Sequence, residues 1–174
     1  DHRDLHYPLR RQRQMCIRDR CNAPAEQVGA GFFAFDEGEK YVVGSDDITD
    51  IWVKYIDAHN ERDMETILAM ETDEIAIVGP DGSRINGKEM HEQALTAWFE
   101  AEDPKWEIYW AMPYEGVNGG ATWVVAGHAV TLNVVGEVVK VNSMIDGEIV
   151  DGKPNGTGEL SSPSGKYTGE FKRY

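Results

Sequence analysis

The 174-residue chain has only two cysteines, no long apolar run and few basic side chains. Cys16 and Cys21 are separated by four residues, and no further ligands accompany them at metal-binding spacing, so neither a disulfide framework nor a metal site is predicted. Without a run of about 18 apolar residues, no transmembrane helix is predicted. The length indicates one domain with a tail, large enough to bury a core.

Basic residues are outnumbered by acidic ones, 17 against 31, which gives a formal net charge of −14. Residues 1–20 hold six Arg and three Asp, so the rest of the chain holds 11 basic and 28 acidic residues, a net charge of −17. Such a surface repels a phosphate backbone, and a nucleic-acid partner is not expected. No glycine-rich phosphate loop and no Ser-His-Asp or Cys-His spacing occurs, so no cofactor and no acyl-enzyme chemistry is predicted.

The N-terminal segment divides into two parts. Met15–Arg20 reads MCIRDR, which resembles a translated transposase-end adapter, so residues 1–20 are predicted to be a sequencing scar; a basic arm is the alternative. Residues 21–44 are predicted to be a linker or an edge segment. Their start, CNAPAEQ, resembles a mature bacterial lipoprotein, which would place a lipid on Cys21 and the protein at the cell envelope; otherwise a cytoplasmic location is expected.

Residues 45–150 are predicted to form the domain, and three helices open it. Ser45 is a suitable N-cap, and the mainly apolar residues of one face recur after it at helical spacing. Asp63 caps a second short helix. A short strand then turns at Pro80–Gly82, and a third helix is predicted to begin after an Asn86 cap. The predicted apolar stripes are Ile48, Trp52, Tyr55, Ile56 and His59 on the first helix, and Met90, Ala94, Leu95 and Trp98 on the third.

Three long strands complete the domain, the last two joined by a hairpin at Val135 and Gly136. Alternation in the middle strand places Trp123 on one face and His128 on the other, and both faces are apolar. Because the helices cover one face only, a homodimer formed through the outer face is predicted.

This order of elements, together with four motifs, resembles the nuclear transport factor 2-like superfamily in its SnoaL-like and ketosteroid-isomerase-like branch. The motifs are YIDAHNERD at Tyr55–Asp63, the GPDG turn, ING before the third helix, and MIDGEIVDGK at Met144–Lys153. The resemblance implies an α+β fold in which a cone-shaped, curved antiparallel sheet packs against about three N-terminal helices. It covers about 60% of the chain, by the range of residues 45–149.

The resemblance also implies site residues. Ketosteroid isomerases use a tyrosine and a protonated acid as an oxyanion hole, and these fall on Tyr55 and Asp146. Their general base falls on Gly79, which cannot take a proton. His59 and His128 are the candidate titrating groups, with a dipole-stabilised or structural role as the alternative. The candidate ligand-binding residues, which could instead be plain core or surface, are Trp52, Trp110, Trp123, Asn142 and Met144.

The tail, residues 151–174, resembles a partial membrane occupation and recognition nexus repeat, a β-hairpin unit with spaced glycines and a YxGE signature. Gly156, Gly158, Gly165, Tyr167, Gly169 and Glu170 carry the resemblance. The glycines would serve the turns of a hairpin. A single such unit cannot bury its own apolar face and would need neighbouring repeats or the domain.

Three functions follow as hypotheses. The first is a binding domain for a small apolar or aromatic molecule. The second is a cofactor-free isomerase, cyclase or dehydratase, in which Tyr55 and Asp146 polarise a carbonyl group while His59 or His128 moves a proton. The third is a dimerisation or scaffold domain without a ligand.

Overall fold

A computed structural model describes residues 29–33 and 38–162. Within them, α1 (Asp46–Glu61), α2 (Met64–Met70) and α3 (Lys88–Glu102) pack against an eight-stranded sheet. The strands are β1 (Ala30–Phe33), β2 (Glu39–Val43), β3 (Ala76–Val78), β4 (Arg84–Asn86), β5 (Lys105–Gly116), β6 (Thr122–Val134), β7 (Glu137–Val150) and β8 (Lys153–Ser162). No helix in this part of the chain is both long and apolar enough to cross a bilayer. The predicted lipid site at Cys21 lies outside the described residues.

The α+β class, the three helices and the curved sheet agree with the prediction, but the sheet is mixed and not antiparallel throughout. Its strand order is β1-β2-β5-β6-β7-β8-β3-β4, and β3 pairs in parallel with β8. The β6–β7 hairpin turns at Val135 and Gly136 as expected, both with positive φ, which matches the twist of the flanking strands.

The helix starts follow their local sequences in two of three cases. Ser45 accepts a hydrogen bond from the Asp47 N–H, and Asp63 accepts one from Thr66 N–H. The predicted Asn86 cap is wrong, because Asn86 belongs to β4 and α3 begins after Gly87, which has a φ of 80°. This positive φ favours glycine at the sharp strand-to-helix turn.

Two faces of the central sheet can be distinguished by which side chains α1 covers. The inner face carries Val124, Ala126 and His128 of β6, all 0% exposed. Trp52 of α1 packs so closely on Gly147 of β7 that a Cβ there would lie 2.8 Å from the indole. Because successive side chains of a strand point to opposite faces, the residues next to these in sequence point away from the helices, onto the outer face.

A β-bulge in β5 changes which residues reach each face. Ile108 pairs with His128 and Trp110 with Gly127, so Tyr109 is an extra residue. Strict alternation from the buried Trp106 would turn Trp110 inward. The bulge instead places its indole on the outer face, where a Cβ at Gly127 would overlap it.

The first part of the predicted tail repeat is a strand of the main sheet. Lys153–Ser162 pairs with β7, and Gly156 and Gly158 pair with Ala76 and Val78 of β3. These two glycines are therefore not turn residues. A Cβ at Gly156 would lie 2.8 Å from the Ala76 carbonyl oxygen, so close backbone approach explains that glycine. The remaining signature residues, Gly165 to Glu170, lie outside the described residues.

Candidate functional site

A cavity of roughly 680 Å³, here called the outer chamber, lies between α3 and the sheet. Its walls are mainly apolar, and its exposed rim includes Pro80, Asp81 and Ser83. A smaller space of roughly 90 Å³, here called the inner chamber, has the buried Trp52, Tyr55, His59 and Trp106 among its walls. Both chambers are bordered by Ile77, His91, Leu95 and Trp98. A ligand entering from the rim would therefore meet His91 where the two spaces adjoin.

A buried carboxylate stands beside that histidine. Glu71, the residue that ends α2, is 0% exposed. Its Oε1 accepts a hydrogen bond of 2.6 Å from the Tyr55 hydroxyl and lies 2.7 Å from His91 Nδ1. The second contact is at ion-pair distance without the geometry of a full hydrogen bond. Glu71 Oε2 has no partner among the described residues. The three side chains form one buried polar cluster in an otherwise apolar interior.

The tyrosine in this cluster acts as a donor. Burial, and then the negative charge of Glu71, raise the pKa of Tyr55 well above its usual value. The hydroxyl therefore keeps its proton and donates a hydrogen bond to the carboxylate. Tyr55 was predicted to face Asp146, but its hydroxyl is instead directed to Glu71.

The two predicted histidines are held as neutral groups. Burial lowers the pKa of His59 to about 4, partly offset by a hydrogen bond between its Nδ1 and the Tyr55 carbonyl oxygen, 2.7 Å away. Burial also lowers the pKa of His128 to about 4. The Trp52 indole N–H donates to His128 Nε2 at 3.2 Å, which ties α1 to β6. His128 borders neither chamber.

The predicted site residues separate onto the two faces of the sheet. Trp52, Tyr55 and His59 line the inner chamber. Asp146 lies next to Gly147 in β7 and so points to the opposite face, where burial and then the charge of Asp146 raise the pKa of Tyr114. The predicted pairing of Tyr55 with Asp146 across one cavity is therefore wrong. The other predicted residues on this outer face are Trp110, Trp123, Asn142 and Met144.

The sequence-based prediction missed Glu71 and His91. His91 had a detectable signal, because it precedes Leu95 by four and Trp98 by seven positions and so shares the buried side of α3. The predicted apolar stripe of this helix begins instead at Met90, which is 48% exposed. Glu71 had no local signal, since it is one of several acidic residues in this part of the chain, with Glu65, Asp73 and Glu74 nearby.

The described residues contain no group of three or more His, Cys, Asp or Glu side chains arranged to hold a metal ion.

No family model matches the sequence, and no curated protein does either. Solved structures do match its shape. A proposed ketosteroid isomerase from Kribbella flavida superposes with a TM-score of 0.59 at 14% identity, covering 76% of this chain and 93% of that one.

Two further structures extend the comparison. An LEH-like epoxide hydrolase from M. tuberculosis has a TM-score of 0.56 at 16% identity, over 67% of this chain and 83% of its own. A proposed polyketide cyclase from Xanthomonas campestris has a TM-score of 0.55 at 14% identity, over 66% of this chain and 89% of its own. The fold is nuclear transport factor 2-like. At these identities the likeness concerns the fold alone. In this fold, Gly79 lines the outer chamber and contributes no side chain there.

Proposed function

We propose that the domain binds a small, mainly apolar molecule in the outer chamber, whose lining includes the buried His91. The observation that carries this proposal is an apolar cavity of roughly 680 Å³ that is bordered, where it meets the inner chamber, by a buried histidine in contact with the Glu71 carboxylate. Cavities of this size, with few polar groups in an apolar wall, are typical of small-molecule sites. The shape likeness to the structures named above agrees with this class of function.

The proposal is tested by filling the cavity. Ala94 lines the outer chamber, whereas Ala97 on the same helix is exposed and lies outside it. Ala94→Trp should weaken binding of the neutral fluorescent probe N-phenyl-1-naphthylamine by about tenfold or more, since it occupies the space that the probe needs. Ala97→Trp should leave the dissociation constant unchanged. Equal affinities for the two variants, or no probe binding by the wild type, would overturn the proposal.

A second candidate is a cofactor-free isomerase, cyclase or dehydratase that acts on a carbonyl compound. It is favoured by the contact between His91 Nδ1 and Glu71. In this scheme His91 Nε2 takes a proton from the carbon beside the carbonyl and returns it to another atom of the same molecule. Glu71 stabilises the ring while it carries the extra proton, and Tyr55 holds Glu71 in place. His59 and His128 are not given the role of the base in this scheme, because burial lowers their pKa values to about 4.

This second candidate predicts hydrogen exchange. The wild type should catalyse exchange of the α-hydrogens of a cyclic ketone in heavy water, followed by NMR. His91→Asn should slow the exchange by about 100-fold, the size of a typical general-base contribution, while the neutral probe still binds. An unchanged exchange rate in His91→Asn, with probe binding retained, would reject proton transfer and leave the binding function standing.

We also propose that the outer face of the sheet forms a homodimer. It exposes large apolar side chains, with Tyr109 at 55%, Trp110 at 40%, Met112 at 47% and Met144 at 38%. A contiguous apolar patch of this kind is typical of a protein interface. Light scattering should show a dimer at micromolar concentration and a monomer for Met112→Asp. A monomeric wild type would remove this proposal, and with it the scaffold alternative.

A further inference from the structure

The charged side chains that line the outer chamber all carry the same sign. They are Asp81 at the rim and Glu102 at the end of α3, and no lysine or arginine of the described residues borders the chamber. Behind His91 lies a third carboxylate, Glu71. An anionic ligand would therefore meet negative charge at the entrance and again behind His91, without a lysine or arginine partner among the described residues of the chamber wall.

Glu102 is held in a fixed position. Its Oε2 accepts a hydrogen bond of 2.7 Å from the indole N–H of Trp98, one helical turn earlier, and both residues line the chamber. Glu102 forms no ion pair with any described residue, although Asp103 beside it is paired with Arg62. Its charge is thus directed at the cavity without a counter-ion from the described part of the chain.

Asp81 adds a second ionised group at the rim. Its Oδ1 accepts a hydrogen bond from the Ser83 N–H at 2.9 Å, and the hydrogen bonds to Ser83 lower the pKa of Asp81 below its usual value. The turn therefore presents a carboxylate at the entrance at neutral pH. Ser83 itself borders the chamber and offers only a hydroxyl group.

We infer that the natural ligand is a hydrophobic amine, a molecule with an apolar ring system and one ammonium group. The rings would occupy the outer chamber, and the ammonium would bind Glu102 beside the Trp98 indole. A carboxylate next to an aromatic ring is a favourable environment for an organic cation. This inference rests on the proposed binding function and adds to it the charge of the ligand.

The test compares ligands of nearly equal shape and different charge. The neutral compound is 2-ethylnaphthalene, the ammonium is 2-(2-naphthyl)ethylamine, and the carboxylate is the anion of 2-naphthylacetic acid. Each competes with the neutral fluorescent probe for the full chain at pH 7 and low salt. The amine should bind about tenfold more tightly than the neutral compound, and the carboxylate more weakly than both. The preference should fall as salt is raised, because the carboxylates at the rim are accessible to ions.

A matched pair of variants locates the effect. Glu102→Gln should reduce the ratio of amine to neutral affinity by about fivefold or more. Glu100→Gln removes the same charge from an exposed position on α3 outside the chamber, and should leave the ratio unchanged. Equal ratios in both variants, or a wild type that binds amine and neutral compound alike, would overturn the inference and leave the binding function intact. Failure of all three compounds and of the probe to bind would instead contradict the proposed function.

Discussion

The two faces of the central sheet are built from alternate residues of the same strands, yet they differ in chemistry. The inner face packs against α1 and carries the buried His128, with Trp52 seated on Gly147. The outer face carries stacked and exposed aromatic groups. The rings of Tyr114 and Trp123 are nearly parallel, with their centroids 6.4 Å apart. Polar side chains near the inner face are buried, and several of them contact side chains of the helices, whereas the outer face exposes large side chains such as Trp110 and Met112. Mutations of equal size should therefore have very different effects on the two faces.

The largest difference is expected at Glu71. Glu71→Ala removes the carboxylate that the Tyr55 hydroxyl and His91 contact, leaving buried polar groups without a partner. We expect a loss of about 3 to 5 kcal/mol in the free energy of unfolding. Denaturant unfolding followed by tryptophan fluorescence measures it. Glu74→Ala, an exposed acid three residues later, is the control and should change stability by less than about 0.5 kcal/mol. Similar losses in the two variants would show that the cluster does not stabilise the fold.

A smaller loss is expected at the contact between α1 and β7. Gly147→Ala would place a methyl group 2.8 Å from the Trp52 indole, so either the helix or the strand must move. We expect the free energy of unfolding to fall by about 1 to 3 kcal/mol, as for other overpacked cores. Met144→Ala, at the 38% exposed Met144 on the outer face, should cost less when measured on the same oligomeric species. A Gly147→Ala variant as stable as the wild type would contradict the close packing.

The third effect concerns pH. Folding lowers the pKa values of His59 and His128 to about 4, so the unfolded chain binds protons that the folded chain does not between about pH 6.5 and pH 4. Stability is fully present above pH 6.5 and declines as the pH falls through this window. The decline is on the order of 2 kcal/mol for each histidine by pH 4.5.

His128→Gln isolates one of these two contributions. The difference in unfolding free energy between pH 7.5 and pH 4.5 should be smaller in this variant than in the wild type, because glutamine does not titrate. Carboxylates that titrate in the same range are common to both proteins and cancel in the comparison. An identical pH dependence in the two proteins would mean that His128 is not held neutral by burial.

Local patterns were enough to predict the helices, the three long strands β5, β6 and β7, and the β6–β7 turn. Ser45 and Asp63 are caps in both sequence and structure, and period-two alternation assigned Trp123 and His128 to opposite faces correctly. These features depend on neighbours within a few residues, which is the range that periodicity and capping rules cover.

The arrangement of the candidate site could not be predicted in the same way. The bulge at Tyr109 moves Trp110 to the outer face, and no local residue type signals it. The approach of Glu71 to Tyr55 and His91 depends on how α2 ends between α1 and α3, so it is a tertiary contact. Comparison with the ketosteroid isomerases pointed to Asp146 because it matched a motif position, but the strand register turns that side chain away from α1.

The parallel pairing of β3 with β8 affects the order in which the domain can assemble. Ile77, which borders both chambers, pairs with Thr157 about 80 positions later, and Thr72 bonds to Pro154 and Asn155. A contact between such distant segments forms late, because a long loop must close first. The helices and the central hairpins can therefore become ordered while this side of the binding space is still open. During refolding, ligand binding should therefore recover later than secondary structure, and its recovery would report when β3 and β8 pair.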